Sequence, residues 1–221
     1  MSISPKLALL EEYALVARAL SAPARLRLLE QLAQDERGVE ALAEKTDLTV
    51  ANCSQHLQHL RRAGLVTSRR EGKAVIYRLT DAKTLELMDL TRVIAERNLA
   101  QVERILHGLA GGEDAPEPIS REQLSARLDE GTVTVLDVRP ADEFAAGHIP
   151  GALNATVAEV DQIIGEIDPG TEIVAYCRGP YCVYAHQAVA ALRKQGFNAR
   201  RLDGGLPEWR EDGRAVLTTS G

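Results

Sequence analysis

The sequence predicts two domains of different class: a mainly α-helical domain, then an α/β domain with a mostly parallel central sheet. Three observations predict this. The segment Gly111-Gly112-Glu113-Asp114-Ala115-Pro116-Glu117-Pro118 has two glycines, two prolines, three acids and no large apolar side chain, the composition of a linker. Ahead of it, apolar residues recur almost entirely at helical spacing; behind it, short runs such as Val133-Thr134-Val135-Leu136 and Ile173-Val174-Ala175 alternate with helical patterns. Charge divides at the same place, with 16 Lys and Arg against 14 Asp and Glu in residues 1–110, and 10 against 18 in residues 111–221. The expected boundaries are 1–110, a linker at 111–118, and 119–221.

With 45% hydrophobic and 26% charged residues in 221, the chain has enough apolar material for a buried core, which excludes a disordered protein. No apolar run approaches the roughly 20 residues of a membrane span. The start Met1-Ser2-Ile3-Ser4-Pro5-Lys6 lacks the basic stretch and apolar core of a signal peptide. The expectation is a cytoplasmic protein without membrane association. Three cysteines, an odd number and too few for a disulfide scaffold, fit a reducing compartment where thiols act chemically.

In the first domain, Leu7 to about Leu20 has the apolar stripe of a helix. Ser21-Ala22-Pro23 then caps and starts a second helix, with proline where a missing N–H costs least. A short helix follows over Val39 to Thr46, a tight break at Asp47-Leu48, and a helix from about Thr49 to Ala63 that ends at Gly64. Leu65 to Arg70 and Ala74 to Leu79 flank Glu71-Gly72-Lys73 as a hairpin. A long helix is expected from about Ala82 to Leu109. Helix, turn, helix, hairpin is the order of a winged helix-turn-helix, with the Thr49 helix as the element for the major groove. In that helix Cys53, Leu57 and Leu60 are spaced to face the core, which leaves Asn52, Ser54, Gln55 and Gln58 nearer the groove. Arg61, Arg62, Arg69, Arg70, Lys73 and Arg78 face only Glu71 across residues 61–78, a basic patch suited to phosphate contact.

The runs Ala19-Leu20-Ser21-Ala22-Pro23-Ala24-Arg25-Leu26-Arg27-Leu28-Leu29 and Ser54-Gln55-His56-Leu57-Gln58-His59-Leu60-Arg61-Arg62-Ala63-Gly64-Leu65-Val66 resemble the ArsR/SmtB family of bacterial repressors. The resemblance implies a homodimer on double-stranded, pseudo-palindromic operator DNA, released by an inducer. The family's metal sites need thiolates before the recognition helix or a His/Asp/Glu cluster on the last helix. Val39 to Thr46 has no cysteine and the last helix offers only His107, so no metal and no cofactor is expected.

In the second domain, Ser120 followed by Gln123 is a capping box opening a helix, and Val133 to Val138 reads as a buried strand. The most informative stretch is Tyr176-Cys177-Arg178-Gly179-Pro180-Tyr181-Cys182, between an apolar run and an alanine-rich helix from about Tyr184. A thiol at such a strand-to-helix turn meets converging backbone N–H groups and the positive end of a helix, which stabilise a thiolate or persulfide anion. With that loop, the segments Asp137-Val138-Arg139-Pro140, Glu143-Phe144-Ala145-Ala146-Gly147-His148-Ile149-Pro150-Gly151-Ala152 and Leu202-Asp203-Gly204-Gly205-Leu206-Pro207-Glu208-Trp209 resemble a rhodanese domain over about Ile119 to Val216. The resemblance implies that Cys177 carries sulfane sulfur as a persulfide. Pro180 has no N–H, so Arg178, Gly179, Tyr181 and Val183, with Cys182, would cradle the anion. Asp137, Arg139 and His148 are expected to support the fold. The far end of the loop, Tyr181-Cys182-Val183, lacks the basic or small polar residue of thiosulfate-using members, which argues against efficient thiosulfate turnover.

Two roles are open for Cys182: a resolving thiol that links to a persulfidated Cys177 through a disulfide or sulfur bridge, or a side chain packed beneath the loop. The expected protein is a transcriptional regulator, a repressor by family, in which a persulfide, polysulfide or thiosulfate donor modifies Cys177 and changes operator affinity. Two other functions fit the same residues. One is a rhodanese-type sulfurtransferase carrying a DNA-binding domain; the other is an inert rhodanese module for an oxyanion or a protein partner.

Overall fold

A computed structural model describes residues 4–110, 116–168, 170–179 and 181–219. Residues 111–115 of the expected linker, and Pro180, lie outside the described residues. The chain divides into two compact units, Met1–Met88 and Asp89–Gly221. Both predicted classes are present, a winged helix-turn-helix and an α/β unit with a parallel four-stranded sheet. Among the described residues no helix is long and apolar enough to cross a membrane.

The first unit runs α1 (Pro5–Leu20), α2 (Pro23–Gln34), β1 (Arg37–Gly38), α3 (Val39–Lys45), α4 (Val50–Arg62), β2 (Val66–Glu71) and β3 (Ala74–Leu79). Proline stands at the start of α1 and of α2, where no N–H donor is lost. The turn between α3 and α4 passes through Asp47 at φ 54°, a left-handed position that Asp tolerates. Thr49 then caps α4, its side chain accepting from Asn52 N. Leu28, Leu29, Leu42, Cys53, Leu57 and Leu60 are fully buried; full burial of each such side chain stabilises the fold by about 1.5–3 kcal/mol. Strands β2 and β3 form an antiparallel hairpin with Glu71 opposite Ala74, and β1 adds a short third strand on the far side of β3. Gly72 takes the positive φ that the two-residue turn requires.

The division between units falls within α5 (Lys83–Asn98), which is followed by α6 (Ala100–Ala110). Where periodicity predicts one helix from about Ala82 to Leu109, the chain breaks at Leu99. Asn98 Nδ2 donates to Ile94 O at 2.8 Å, so a side chain competes for a helix carbonyl, and Val102 N turns back to Leu99 O at 2.8 Å.

The remaining elements are α7 (Arg121–Asp129), β4 (Val133–Asp137), α8 (Ala141–Ala146), β5 (Leu153–Asn154), α9 (Val160–Ile163), β6 (Glu172–Tyr176), α10 (Tyr184–Lys194), β7 (Ala199–Arg201) and α11 (Leu206–Glu211). Strand order is β5-β4-β6-β7, every pair parallel. The capping box of α7 forms through Ser120 and Gln123. Both sheet faces are covered. Ile173, Ala175 and Cys177 pack with α10 through Ala185, Ala188, Val189 and Leu192, while Val174 and Tyr176 pack with Leu124, Leu206 and Trp209. This period-2 alternation turns the Cys177 side chain to the α10 face.

Beneath the strand ends lies a buried ion pair. Arg139 Nε and Nη2 donate to the Asp137 carboxylate at 3.0 and 2.6 Å, Arg139 N donates to Asp137 Oδ1, and Arg139 Nη2 also reaches Gly147 O at 2.6 Å. Asn154 Nδ2 donates to both Asp137 O and Arg139 O. Removing one partner of a buried pair strands the other charge. Asp137→Ala is therefore expected to lower unfolding free energy by about 3–5 kcal/mol, read as a lower urea midpoint at unchanged slope.

Candidate functional site

In the second unit, Val138 N donates to Tyr176 O at 3.1 Å and Ile149 N donates to Tyr176 Oη at 3.0 Å, so β6 ends in a fixed place immediately before Cys177. Burial pushes the Tyr176 phenol well above its usual range and keeps it protonated at neutral pH. Leu206 N donates to Cys177 O at 3.3 Å and holds the loop against the start of α11. Gly205 sits so close beneath that a Cβ there would stand 2.4 Å from both Cys177 O and Gly179 N, which only glycine avoids. Gly179, at φ 132°, takes a backbone conformation that other residues rarely adopt.

Cys177 is 1% exposed and is joined to Cys182 by a disulfide, with the Cα atoms 6.2 Å apart, inside the ordinary span for such a bond. Cys182 N donates to Gly179 O at 3.1 Å, a turn that carries the second sulfur back over the first. Cys182 also packs against the apolar cluster containing Val138, Ala185 and Val189. Of the expected cradle, the N–H groups of Gly179 and Val183 donate to no acceptor among the described residues. Tyr181 is half-buried in the loop, and Val183 caps α10. The Arg178 side chain pairs with a carboxylate: its Nε and Nη2 donate to the Glu143 carboxylate at 2.9 and 2.8 Å, and its guanidinium lies 5.8 Å from the centroid of the Tyr184 ring. Glu143 itself is fully buried.

Three of these neighbours escape sequence reasoning. Glu143 stands 35 positions before Arg178, so nothing local marks it as a partner. Gly205 lies in a glycine pair, and nothing local marks its close approach to the cysteine turn. Glu208 accepts from Gly205 N at 2.8 Å through Oε2 and keeps Oε1 buried without a partner among the described residues. Burial raises its carboxyl above the usual range. His148 stacks on Phe144 at 3.8 Å and its Nδ1 contacts Phe144 O at 2.9 Å, inside the fold rather than at the sulfurs.

In the first unit, Asn52, Gln55 and Gln58 are exposed on α4, and Ser54 is half-buried. Arg61 reaches Ser68 Oγ at 3.4 Å. Arg69 is held by the carboxylates of Glu36 and Glu71. Arg62, Arg70 and Lys73 are exposed and carry no ion pair among the described residues. Cys53 is fully buried at 3.7 Å from Val39 O, and burial pushes its thiol up to about 11. That places it among inert, protonated cysteines. No group of three or more His, Cys, Asp or Glu side chains that could hold a metal occurs among the described residues.

Comparison with known proteins places both halves. A helix-turn-helix domain model matches residues 20–69, and a rhodanese-like domain model matches residues 120–212. An HTH-type transcriptional regulator of Mycobacterium tuberculosis is 43% identical over 212 residues, 96% of this chain and 92% of that protein. An uncharacterized HTH-type transcriptional regulator of the same species is 38% identical over 99 residues, 44% of this chain and 87% of its own length. A sulfurtransferase of Allochromatium vinosum is 33% identical over 105 residues, 47% of this chain and 96% of its own length.

Proposed function

Because the chain belongs to the ArsR-type HTH transcriptional regulators and carries a C-terminal rhodanese-like domain, we propose that it is a cytoplasmic, homodimeric repressor that reads reactive sulfur at Cys177 and Cys182. The single observation that carries this reading is the juxtaposition of the two sulfurs at the end of β6, in a domain joined to a DNA-binding unit. A sulfane sulfur donor transfers its outer sulfur to the Cys177 thiolate and leaves as a thiol. The Cys182 thiolate then attacks Cys177 Sγ, the Cys177 sulfur–sulfur bond breaks, and hydrosulfide departs. In sum, two protein thiols and one hydropersulfide become a disulfide, a thiol and hydrogen sulfide. The likeness to a sulfurtransferase supports sulfur acceptance at this loop.

Support for transmission comes from α10, which begins two residues after Cys182 and packs against α6 within the second unit. On α10, His186 is held neutral, its pKa lowered to about 4 by burial and by the nearby charges of Arg201 and Arg92. The dimer is supported by apolar side chains left at the surface. Leu7, Leu9, Leu10 and Tyr13 are exposed on α1, and Leu90, Val93 and Ile94 on α5. In the DNA-binding unit, Asn52, Ser54, Gln55 and Gln58 would face base edges, with Arg61, Arg62, Arg70 and Lys73 on phosphates.

A second reading, a working sulfurtransferase localised by its DNA-binding half, is favoured by the same relative. Sustained turnover of about 1 s⁻¹ or more would mark it, and one sulfur per protein would mark the sensor.

Two outcomes are expected. With operator DNA selected from a genomic library, at fixed salt, polysulfide should weaken binding of the reduced protein at least about tenfold, a change of ~1.4 kcal/mol, and should leave Cys177→Ser unchanged. Equal responses of the two proteins would remove Cys177 as the sensor. In salt titrations, Arg70→Ala and Lys73→Ala should each reduce the slope of log K against log salt by about 1. Arg69→Ala should change it less, since Arg69 is already paired with Glu36 and Glu71.

A further inference from the structure

Three parallel strands end level with one another, Asn154 of β5 beside Asp137 of β4, and Asp137 beside Tyr176 of β6. The chain places β5 on one side of β4 and β6 on the other, so segments leaving the strand ends diverge and open a crevice there. A pocket of about 310 Å³ occupies this position, lined by Val138 and Pro140 after β4, Thr156, Val157 and Ala158 after β5, and Arg178 and Tyr184 on either side of the cysteine turn. Val138 and Val157 belong to the same apolar cluster as Cys177 and Cys182, and Arg178 in the lining directly follows Cys177, so the pocket lies beside the cysteine turn.

The lining has one charged side chain, Arg178, and the buried Glu143 carboxylate already neutralises it, accepting from its Nε and Nη2. An inorganic dianion such as thiosulfate would therefore lose water at this wall and meet no net positive charge. An uncharged apolar group loses nothing comparable. It gains contact with Val138, Pro140, Val157 and Ala158, and with the ring of Tyr184, which is 42% exposed. The volume stands at the lower end of the roughly 300–1,000 Å³ of small-molecule sites, which suits a group of about amino-acid size.

We infer that this pocket seats the organic part of a low-molecular-weight hydropersulfide, R–S–SH with apolar R, and so selects an organic sulfur donor over thiosulfate. The inference rests on Cys177 being the sulfur acceptor. The Cys177 thiolate attacks the terminal sulfur of R–S–SH, and a bond forms between Sγ and that sulfur. The bond between the two donor sulfurs breaks, R–S⁻ leaves with the electron pair, and it takes a proton from water. Cys177 is left as a persulfide with no net oxidation.

The test uses the reduced full-length protein with benzyl hydropersulfide, thiosulfate and inorganic tetrasulfide. Sulfur on Cys177 and the Cys177–Cys182 disulfide are timed by mass spectrometry, and each rate is divided by that donor's rate with free cysteine. The normalised benzyl hydropersulfide rate is expected to exceed that of thiosulfate by about tenfold or more. Ala158→Trp, which fills the pocket, should lower the ratio of benzyl hydropersulfide to tetrasulfide rates by about tenfold. Val157→Ala, which enlarges it, should shift preference toward a naphthylmethyl hydropersulfide. Thiosulfate matching the benzyl donor, or ratios unmoved in both variants, overturns the pocket and leaves Cys177 as acceptor. Absence of sulfur and of disulfide on Cys177 with every donor overturns both readings.

Discussion

Asp137 and Arg139, neither more than 1% exposed, hold the second domain together at the level where the cysteine turn begins. Their ion pair closes the end of β4, and Arg139 extends it to Gly147 O. The carbonyls of both residues accept from Asn154, which ties in β5, and Val138 N reaches Tyr176 O, which ties in β6. Two charges out of water are costly, and here each is answered by several hydrogen bonds. What they secure is geometric: three strands end together, and Cys177 starts from a rigid point.

From that point the placement of sulfur follows from strand geometry and from one close approach. Alternation along β6 sends Ile173, Ala175 and Cys177 to the α10 face, where Cys182 lies just before the helix begins. The loop is pressed onto Gly205 with no room for a Cβ, so its path is set by backbone against backbone. The same strand ends frame the apolar pocket beside Arg178 and Tyr184. The paired cysteines, their fixed support and the apolar pocket are thus neighbours because one set of parallel strands stops at one level.

The electrostatic division of the chain has a counterpart in how cations are used. Arg139 and Arg178 are committed to buried carboxylates and shape the sulfur site without adding net charge. In the hairpin of the first unit, Arg70 and Lys73 are exposed and carry no ion pair among the described residues, while Arg69 is paired. Reading the basic patch as a simple sum of positive charges would overstate it by that residue.

Sequence alone determined the two fold classes, the helix-turn-helix order, the wing, the burial of Cys53, Leu57 and Leu60, and the strand-to-helix turn carrying Cys177. These are legible because caps, turn residues and apolar spacing act over a few positions. Tertiary structure decided the rest. Whether Cys182 meets Cys177 or packs beneath the loop had two answers at a separation of 5 residues, and in the folded chain it is disulfide-bonded and also packed against the core. That Arg178 pairs with a carboxylate depends on Glu143, 35 positions away. Local pattern fixes which elements form, whereas partners distant in sequence become neighbours only when the sheet assembles and its strand ends are brought level.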